Sequence, residues 1–513
     1  MAEQFPGDVL DLLADAGGRT VFEDAGRAVS GAGLLAAVRR VTAGLRRRGV
    51  APGDGVAVLL GVSPEAFAAV IAAHVVGARV VGVRPGLTER QREHLLADSA
   101  FAITDPADGA GTTAGRPGTG GGSAGAPGGG PDGRSGAARP RTVLPLGDLL
   151  AAPDDGRRPE VSARPGDTAR LIHTSGSTGL PKACAQTYAA MTAAWTLRPD
   201  DWPPVVRELA PRLDRFLVFG TLASQVMLEY GLLSLTAGGT LVAAAPGDLH
   251  DGLVRHRATG SVVTVARLTR LVARRRASRP DPGGLRALML SGSPIAPGRL
   301  REAADVLGPV VFHGYGQTET GMISMAAPGE EPGCLGVPPV DVEVRDAAGR
   351  PLPPGADGEL FVRTPGQCAG YWNEPERTAE VFADGWVRTR DLGHLDAAGR
   401  LWLTGRTRDV IIVNANLYYA GPVERLLATH PAVAEAYVVA APDDSTGEAV
   451  HAYVVPAAGR TPQLAELRAL VAADLGEACA PTRLTVIEEV PLTPAGKPDK
   501  RRLAAEAEAG VGA

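Results

Sequence analysis

Cysteine is scarce in this chain, and the few present stand apart. Cys184, Cys334, Cys368 and Cys479 are the only four in 513 residues, and no two form a Cys-x-x-Cys unit. That spacing supports neither a disulfide framework nor a thiolate metal site. Excess positive charge is also missing: the formal net charge is −5, so there is no global basic footprint and nucleic acid is not an expected partner. Local runs such as Arg46-Arg47-Arg48 and Arg274-Arg275-Arg276 read as solvated helix faces. Long apolar runs are absent as well. The uncharged stretch between Glu229 and Asp248 is broken by Gly231, Ser234, Gly238 and Gly239, and reads as a helix, a turn and the strand Thr240–Ala245, buried in a core and not spanning a membrane. The start, Met1-Ala2-Glu3-Gln4-Phe5-Pro6, lacks the charged-then-apolar pattern of a secretory signal, so a soluble cytoplasmic protein is expected.

What the chain does have is length and alternation. Its 513 residues can bury a large core and suggest two to four domains. Helical stretches alternate with short β-branched runs: Gly31–Arg48, Val56–Leu60, Pro64–Val76, Ala78–Val83, and again from Thr240–Ala245 through Val310–Phe312. This is the pattern of a layered α/β domain. From about Gly405 the runs Asp409–Val413, Pro422–Leu427, Val433–Ala440, Val450–Val455 and Gln463–Leu475 read as a compact α+β unit. Residues 105–141 are glycine, alanine and proline for the most part, with Gly120-Gly121-Gly122 and Gly128-Gly129-Gly130, and read as a flexible surface insertion without visible function.

Four segments carry chemistry. Thr174-Ser175-Gly176-Ser177-Thr178-Gly179-Leu180-Pro181-Lys182 reads as a phosphate cradle: glycines let backbone N–H groups approach an anion, hydroxyls add donors, and Lys182 adds charge. It is not the P-loop of NTPases, because Leu180-Pro181 separates Gly179 from Lys182 and Ala183 follows. A plain serine-glycine turn between a strand and a helix is the other reading. In His313-Gly314-Tyr315-Gly316-Gln317-Thr318-Glu319, Tyr315 can stack on a base and Glu319 can hold magnesium, which prefers carboxylate oxygens and substrate phosphates. Asp391, in Thr389-Arg390-Asp391, can accept from ribose hydroxyls, and Arg406 follows in Gly405-Arg406. Lys497 stands in a proline- and glycine-flanked loop, Pro494-Ala495-Gly496-Lys497-Pro498, read as flexible. Each has a plainer reading: Glu319 as a solvated charge, Asp391 as a cap, Lys497 as part of a basic tail with Lys500, Arg501 and Arg502.

In order and spacing these segments resemble the core motifs of the adenylate-forming superfamily, which includes acyl-CoA synthetases, nonribosomal peptide synthetase adenylation domains and luciferases. The resemblance covers nearly the whole chain. It implies a large layered α/β domain over 1–404, a hinge at 405–408 around Arg408, and a small α+β domain over 409–513. It also implies roles. Thr174, Ser175, Gly176, Ser177, Thr178, Gly179 and Lys182 would wrap the β- and γ-phosphates of ATP, and Thr318 would bond the α-phosphate. Glu319 would ligate Mg2+; Gly314, Tyr315 and Gly316 would line the adenine site; Asp391 and Arg406 would bind ribose. Lys497 would bridge the carboxylate substrate and the α-phosphate. The implied reaction makes an acyl-adenylate and pyrophosphate, then passes the acyl group to the thiol of CoA or of a carrier-protein phosphopantetheine.

Two departures from the superfamily pattern bear on these expectations. Arg390 stands where a glycine is usual, and the segment after the hinge reads Asn414-Ala415-Asn416 where a glycine is usual, which makes the thiol step less secure than the first. Ser224, Gln225, Ser293 and Gln317 are candidate lining residues of the acid pocket, whereas Met227 and Leu228 read as core. The Phe219–Gln225 segment lacks the Asp that grips an α-amino group, so a fatty, aryl or other simple carboxylic acid is expected. Nothing after Lys497 resembles a carrier domain, so the thiol is expected on a separate molecule, with the arginine runs as a possible basic rim for it. A non-catalytic nucleotide or acyl-adenylate scaffold is the alternative of a different class.

Overall fold

The computed structural model describes residues 4–83, 89–105, 142–174, 182–222, 224–244, 249–277, 284–292, 295, 297–407, 409–413, 416–443, 446–493 and 496–509. By compactness the chain divides into two units, one of residues 1–192 with 218–229 and one of residues 193–217 with 230–513.

In the first unit, six strands stand in the order β6-β5-β2-β1-β3-β4: β1 (Gly55–Leu59), β2 (Arg79–Gly82), β3 (Phe101–Thr104), β4 (Thr142–Pro145), β5 (Thr168–Thr174) and β6 (Lys182–Thr187). The first five pair in parallel, and β6 returns antiparallel to β5 with Thr174 opposite Lys182. Helix α1 (Gly31–Arg47) begins where the Ser30 hydroxyl accepts from the Gly33 amide. Helix α2 (Pro64–Val75) begins likewise, with the Ser63 hydroxyl accepting from the Ala66 amide and Pro64 at the first helical position. Every residue of α2 except Glu65 is buried, as its near-continuous apolar sequence requires.

The second unit carries a mostly parallel set in the order β12-β11-β10-β9-β7-β8: β7 (Arg215–Val218), β8 (Thr240–Ala243), β9 (Gly260–Val263), β10 (Ala287–Leu290), β11 (Val311–Gln317) and β12 (Gly321–Ala326). Helix α3 (Gln225–Thr236), whose first five residues are counted in the first unit, precedes β8, while α4 (Val265–Ala277) and α5 (Pro297–Leu307) follow β9 and β10 and pack on a core of Leu217, Leu253, Val263, Leu268, Leu271, Leu288 and Leu290. A separate antiparallel sheet follows, β13 (Asp341–Arg345), β14 (Gly358–Arg363), β15 (Trp386–Leu395) and β16 (Leu401–Arg406), paired in that order. Alternation alone did not announce this sheet.

The C-terminal part of the unit has its own sheet, β18-β17-β20-β19 with β21 on β20: β17 (Val410–Val413), β18 (Asn416–Tyr419), β19 (Val433–Asp443), β20 (Gly447–Pro456) and β21 (Arg483–Val486). Helices α6 (Ala420–Leu427) and α7 (Leu464–Leu475) cover one face through Val423, Leu427, Leu467 and Val471. Helix α8 (Lys500–Ala509) seats Leu503 and Ala507 against Val439 and Tyr453. The division expected at 405–408 is not the one compactness draws. Gly421 stands so close to β16 that a Cβ would meet the Thr404 carbonyl at 2.9 Å, and Arg425 donates to that same carbonyl at 2.7 Å. Those contacts tie residues 409–509 to the sheet before them, although their core is self-contained.

Candidate active site

The C-terminal ends of parallel strands are where α/β sheets bind ligands, because the loops there fan apart. In the second unit β9, β10 and β11 end at Val263, Leu290 and Gln317, and Thr264, Gly292 and the turn at 318–320 follow them. Lys497 arrives at that edge. A Cβ on Gly496 would lie 3.9 Å from Thr264 Cγ2, and one on Gly292 would lie 3.8 Å from Lys497 Cε. Gly292, with φ 106, thus combines a left-handed backbone with room for the lysine stem. Its importance was not visible in the sequence, because its neighbour comes from the other end of the chain.

The described residues on either side of the lysine loop are hydrogen-bonded to one another. Thr493 N donates to Lys497 O at 2.7 Å, Gly496 N to Thr493 O at 2.8 Å, Lys497 N to Thr493 Oγ1 at 3.2 Å, and Asp499 N to Pro491 O at 2.7 Å. Gly496 turns the chain at φ 74. Lys497 keeps an accessible face, yet the protein packed around its ammonium lowers its pKa, and Arg406 lowers it further while Glu319 and Asp391 oppose them. The four candidate residues are therefore electrostatic neighbours.

Asp391 is the hub. Its Oδ1 accepts from Arg406 Nε at 2.6 Å; its Oδ2 accepts from the Tyr315 hydroxyl at 2.7 Å and from Gln317 Nε2 at 2.6 Å. Antiparallel pairing puts Asp391 directly opposite Arg406. Burial, reinforced by Asp391, raises the Tyr315 pKa, so the phenol stays a donor. Only 8% of Tyr315 is exposed, and its ring packs with Ile323, Leu335, Leu360 and Leu401, so what it offers a base is one limited face. A carboxylate has about four acceptor positions, so after three donors Asp391 keeps one for a hydroxyl, although its side chain is only 3% exposed.

Arg390 holds φ 60, in the left-handed region that glycine reaches without steric cost. Its neighbours hold it there: Thr389 Oγ1 donates to Leu360 O at 2.7 Å and Thr407 N donates to Arg390 O at 2.9 Å. Geometry is retained at the cost of strain, about 1–2 kcal/mol for a side chain in that region.

Glu319 is buried, accepting from the Tyr371 hydroxyl at 2.7 Å, and its turn is held by Cys368, whose amide donates to Glu319 O at 2.8 Å and whose Sγ meets Thr318 O at 3.3 Å. Tyr371 and Cys368 are site-building residues that the sequence reading missed. Close approach explains the glycines of β11: a Cβ on Gly314 would strike Met289 Cε at 2.5 Å, and one on Gly316 would strike Gly321 O.

Two candidate pocket residues are committed elsewhere. The Gln317 amide nitrogen serves Asp391 and the Thr389 carbonyl, at 2.6 and 2.9 Å, so it supports the hub and does not line a wall through that nitrogen. Gln225 turns its side chain onto Glu229, which pairs with Arg170 at 3.1 Å. Ser224 is half-buried at the start of α3, its amide donating to Thr221 O. Thr174 and Lys182 end β5 and open β6, so the expected phosphate loop joins two antiparallel strands and not a strand and a helix. Ser175, Gly176, Ser177, Thr178, Gly179, Ser293 and Arg408 lie outside the described residues, as do 106–141 of the insertion and Asn414-Ala415.

Comparison with known proteins decides the family. The family described as AMP-binding enzyme matches residues 13–372, and the AMP-binding enzyme C-terminal domain matches 422–497. The chain belongs to the AMP-binding enzyme family. Among relatives, a fatty acid–[acyl-carrier-protein] ligase of Streptomyces coeruleorubidus is 31% identical, covering 90% of this chain and 89% of that protein. A feruloyl-CoA synthase of an Amycolatopsis species is 31% identical over 93% of this chain and 94% of its own length. Among solved structures, the amide bond synthetase McbA of Marinactinospora thermotolerans superposes with a TM-score of 0.83 at 33% identity, covering 98% of this chain and 99% of that one. The expected two-part α/β architecture is that of this AMP-binding enzyme. Among the described residues no helix is long and apolar enough to cross a membrane.

Proposed function

We propose that this AMP-binding enzyme activates a carboxylic acid other than an α-amino acid with ATP, releases pyrophosphate, and passes the acyl group to a thiol of CoA or of a separate carrier protein. One observation carries the reading: Lys497 stands on a hydrogen-bonded loop at the edge of β9 and β10, with Glu319, Asp391 and Arg406 as its charged neighbours.

A carboxylate oxygen attacks the α-phosphorus, the bond to the β-phosphate oxygen breaks, and the electron pair leaves on pyrophosphate. Lys497 stands where charge develops on the α-phosphoryl oxygens and holds the attacking carboxylate against them. Thr318 bonds the α-phosphate; Ser175 to Gly179 with Thr174 and Lys182 hold the β- and γ-phosphates; Gly314, Tyr315 and Gly316 bound the adenine; Asp391 and Arg406 take the ribose. Glu319 fits a magnesium ligand: it is a buried carboxylate, and the described residues form no cluster of three or more metal-binding side chains, so the cation would be shared with the phosphates. Bound there, magnesium would neutralise phosphate charge. In the second half-reaction a thiol sulfur attacks the acyl carbon and AMP leaves. A hinge at 405–408, with Arg408 in it, would carry residues 409–513 away between the two steps, which is consistent with the self-contained core of that segment.

A second acceptor is favoured by one finding, the likeness to an amide bond synthetase over nearly the full chain. An amine would then attack the same adenylate. Supplying an accepted acid with CoA, with a carrier protein or with simple amines, and identifying the product by mass, tests this: a thioester supports the thiol reading and an amide formed in its place overturns it.

A further inference from the structure

Lys500 was a residue of a basic tail in the sequence, but it is not solvated like one. Its Nζ lies 2.9 Å from Asp409 Oδ2 and 2.8 Å from Glu424 Oε1, and Glu424 Oε1 also accepts from the Val438 amide at 2.7 Å. The three side chains keep only 26, 32 and 19% of their exposure. Burial alone would lower the Lys500 pKa, and the two carboxylates more than reverse that, so the ammonium stays charged. Its neighbour Arg502 makes an exposed pair with Glu506.

The connections of the triad matter more than its strength. Lys500 opens α8 three residues after Lys497, and Asp499 N closes the base of the lysine loop on Pro491 O. Further along, α8 is anchored by Leu503, whose carbonyl accepts from Tyr453 at 3.0 Å. Asp409 directly follows the proposed hinge; its amide donates to Arg406 O at 3.2 Å and its carbonyl accepts from Ala420 N at 2.8 Å. One cation thus joins the base of the lysine loop to the chain leaving Arg406.

We propose that Lys500 is a positioning residue, which by pairing with Asp409 and Glu424 sets the Lys497 loop relative to Arg406 and Gly292 for adenylation. The inference rests on the proposed role of Lys497. An ordinary stabilising ion pair would affect the whole C-terminal sheet, whereas a latch affects the loop first. Removing the cation leaves two carboxylates facing each other and takes away the link from the start of α8 to Asp409 and Glu424.

The test compares the full chain with Lys500→Met, Lys500→Arg and Asp409→Asn by hydrogen–deuterium exchange and by pyrophosphate release. Exchange of the peptide spanning 491–499 should rise about ten-fold in Lys500→Met with 433–443 unchanged, since local opening is what the latch prevents. The kcat for pyrophosphate release should fall about 10²-fold, as for a misplaced catalytic group, with KM for ATP moving less than about two-fold. Lys500→Arg should restore both, and Asp409→Asn, which keeps the Glu424 partner, should fall between. Unchanged exchange at 491–499 in both Lys500→Met and Asp409→Asn overturns the latch, and so does an equal rise at 433–443. If the wild-type chain releases no pyrophosphate with any acid, the activity proposal fails while the exchange arm still decides the latch.

Discussion

Replacing Asp391 by Asn changes one charge and almost no volume, so its consequences follow from the three donors that converge there. Arg406 Nε, the Tyr315 hydroxyl and Gln317 Nε2 all point at carboxylate oxygens within 2.7 Å. An amide offers one oxygen, so in either orientation its NH2 faces a donor. Hydrogen bonds to a charged group are worth about 1.5–3 kcal/mol each, and breaking a buried pair costs about 3–5 kcal/mol. The full pair value does not apply, because the Arg406 side chain is 49% exposed and water can take over part of its solvation. A loss of about 2 kcal/mol in stability is the expected balance. Nucleotide binding loses the anionic acceptor for ribose as well, about 1.5–3 kcal/mol, which is about 10- to 100-fold in Kd. Calorimetric titration with AMP, alongside thermal melting, reads both. Unchanged AMP affinity in a variant that melts early would refute the ribose assignment, and an unchanged melt would refute the hub.

Gly292→Ala should lower the adenylation rate about ten-fold with the fold retained, because φ 106 is costly for any side chain and relief of that strain shifts the backbone beside Lys497, although a Cβ itself would make only van der Waals contact with Lys497 Cε at 3.8 Å; pyrophosphate release at wild-type rate would contradict the placement. Acid should destabilise the first unit. His74 is fully buried, and that burial, with Arg170 adding to it, lowers its pKa from 6.5 to about 3, so only the unfolded chain takes the proton as pH falls through 6.5; about 2 kcal/mol is lost by about pH 5 from this one group. Burial also lowers His173 of the same unit to about 4, and His313 of the second unit to about 4, so acid acts in the same direction on both units. Melting followed from pH 8 downward should show this slope, and a flat profile would mean these imidazoles are solvated. Replacing residues 106–141 by a linker of about a dozen residues should leave adenylation intact; β3 and β4 pair in parallel, so the linker must span back along a strand.

Much of the fold was legible because local signals and tertiary structure agree. Ser30 and Ser63 mark helix starts, and the β-branched runs became the strands of both parallel sets. The antiparallel sheet was missed although a signal existed: Asp346-Ala347-Ala348-Gly349-Arg350 recurs as Asp396-Ala397-Ala398-Gly399-Arg400. In each copy the aspartate accepts two backbone amides and its arginine, which makes a tight hairpin turn. At the site, residue types were legible and their commitments were not. Nothing near Gln317 in sequence announces that its amide belongs to Asp391, and nothing near Glu319 announces Tyr371. Such partners are chosen by sheet register and by the packing of distant turns. Arg390 is the opposite case: sequence flagged a lost glycine, and the structure accommodates the arginine at φ 60 through its flanking hydrogen bonds.

The most direct measurement is pyrophosphate release from ATP and magnesium across a panel of fatty, aryl, hydroxy and amino acids, with hydroxylamine to trap the acyl-adenylate and Lys497→Ala in parallel. The account predicts release with a non-amino carboxylic acid, falling about 10²- to 10³-fold in the variant, as when a charge-stabilising donor is lost, while AMP binding persists. Release that continues undiminished in Lys497→Ala would contradict it, and so would tight ATP binding with no release for any acid.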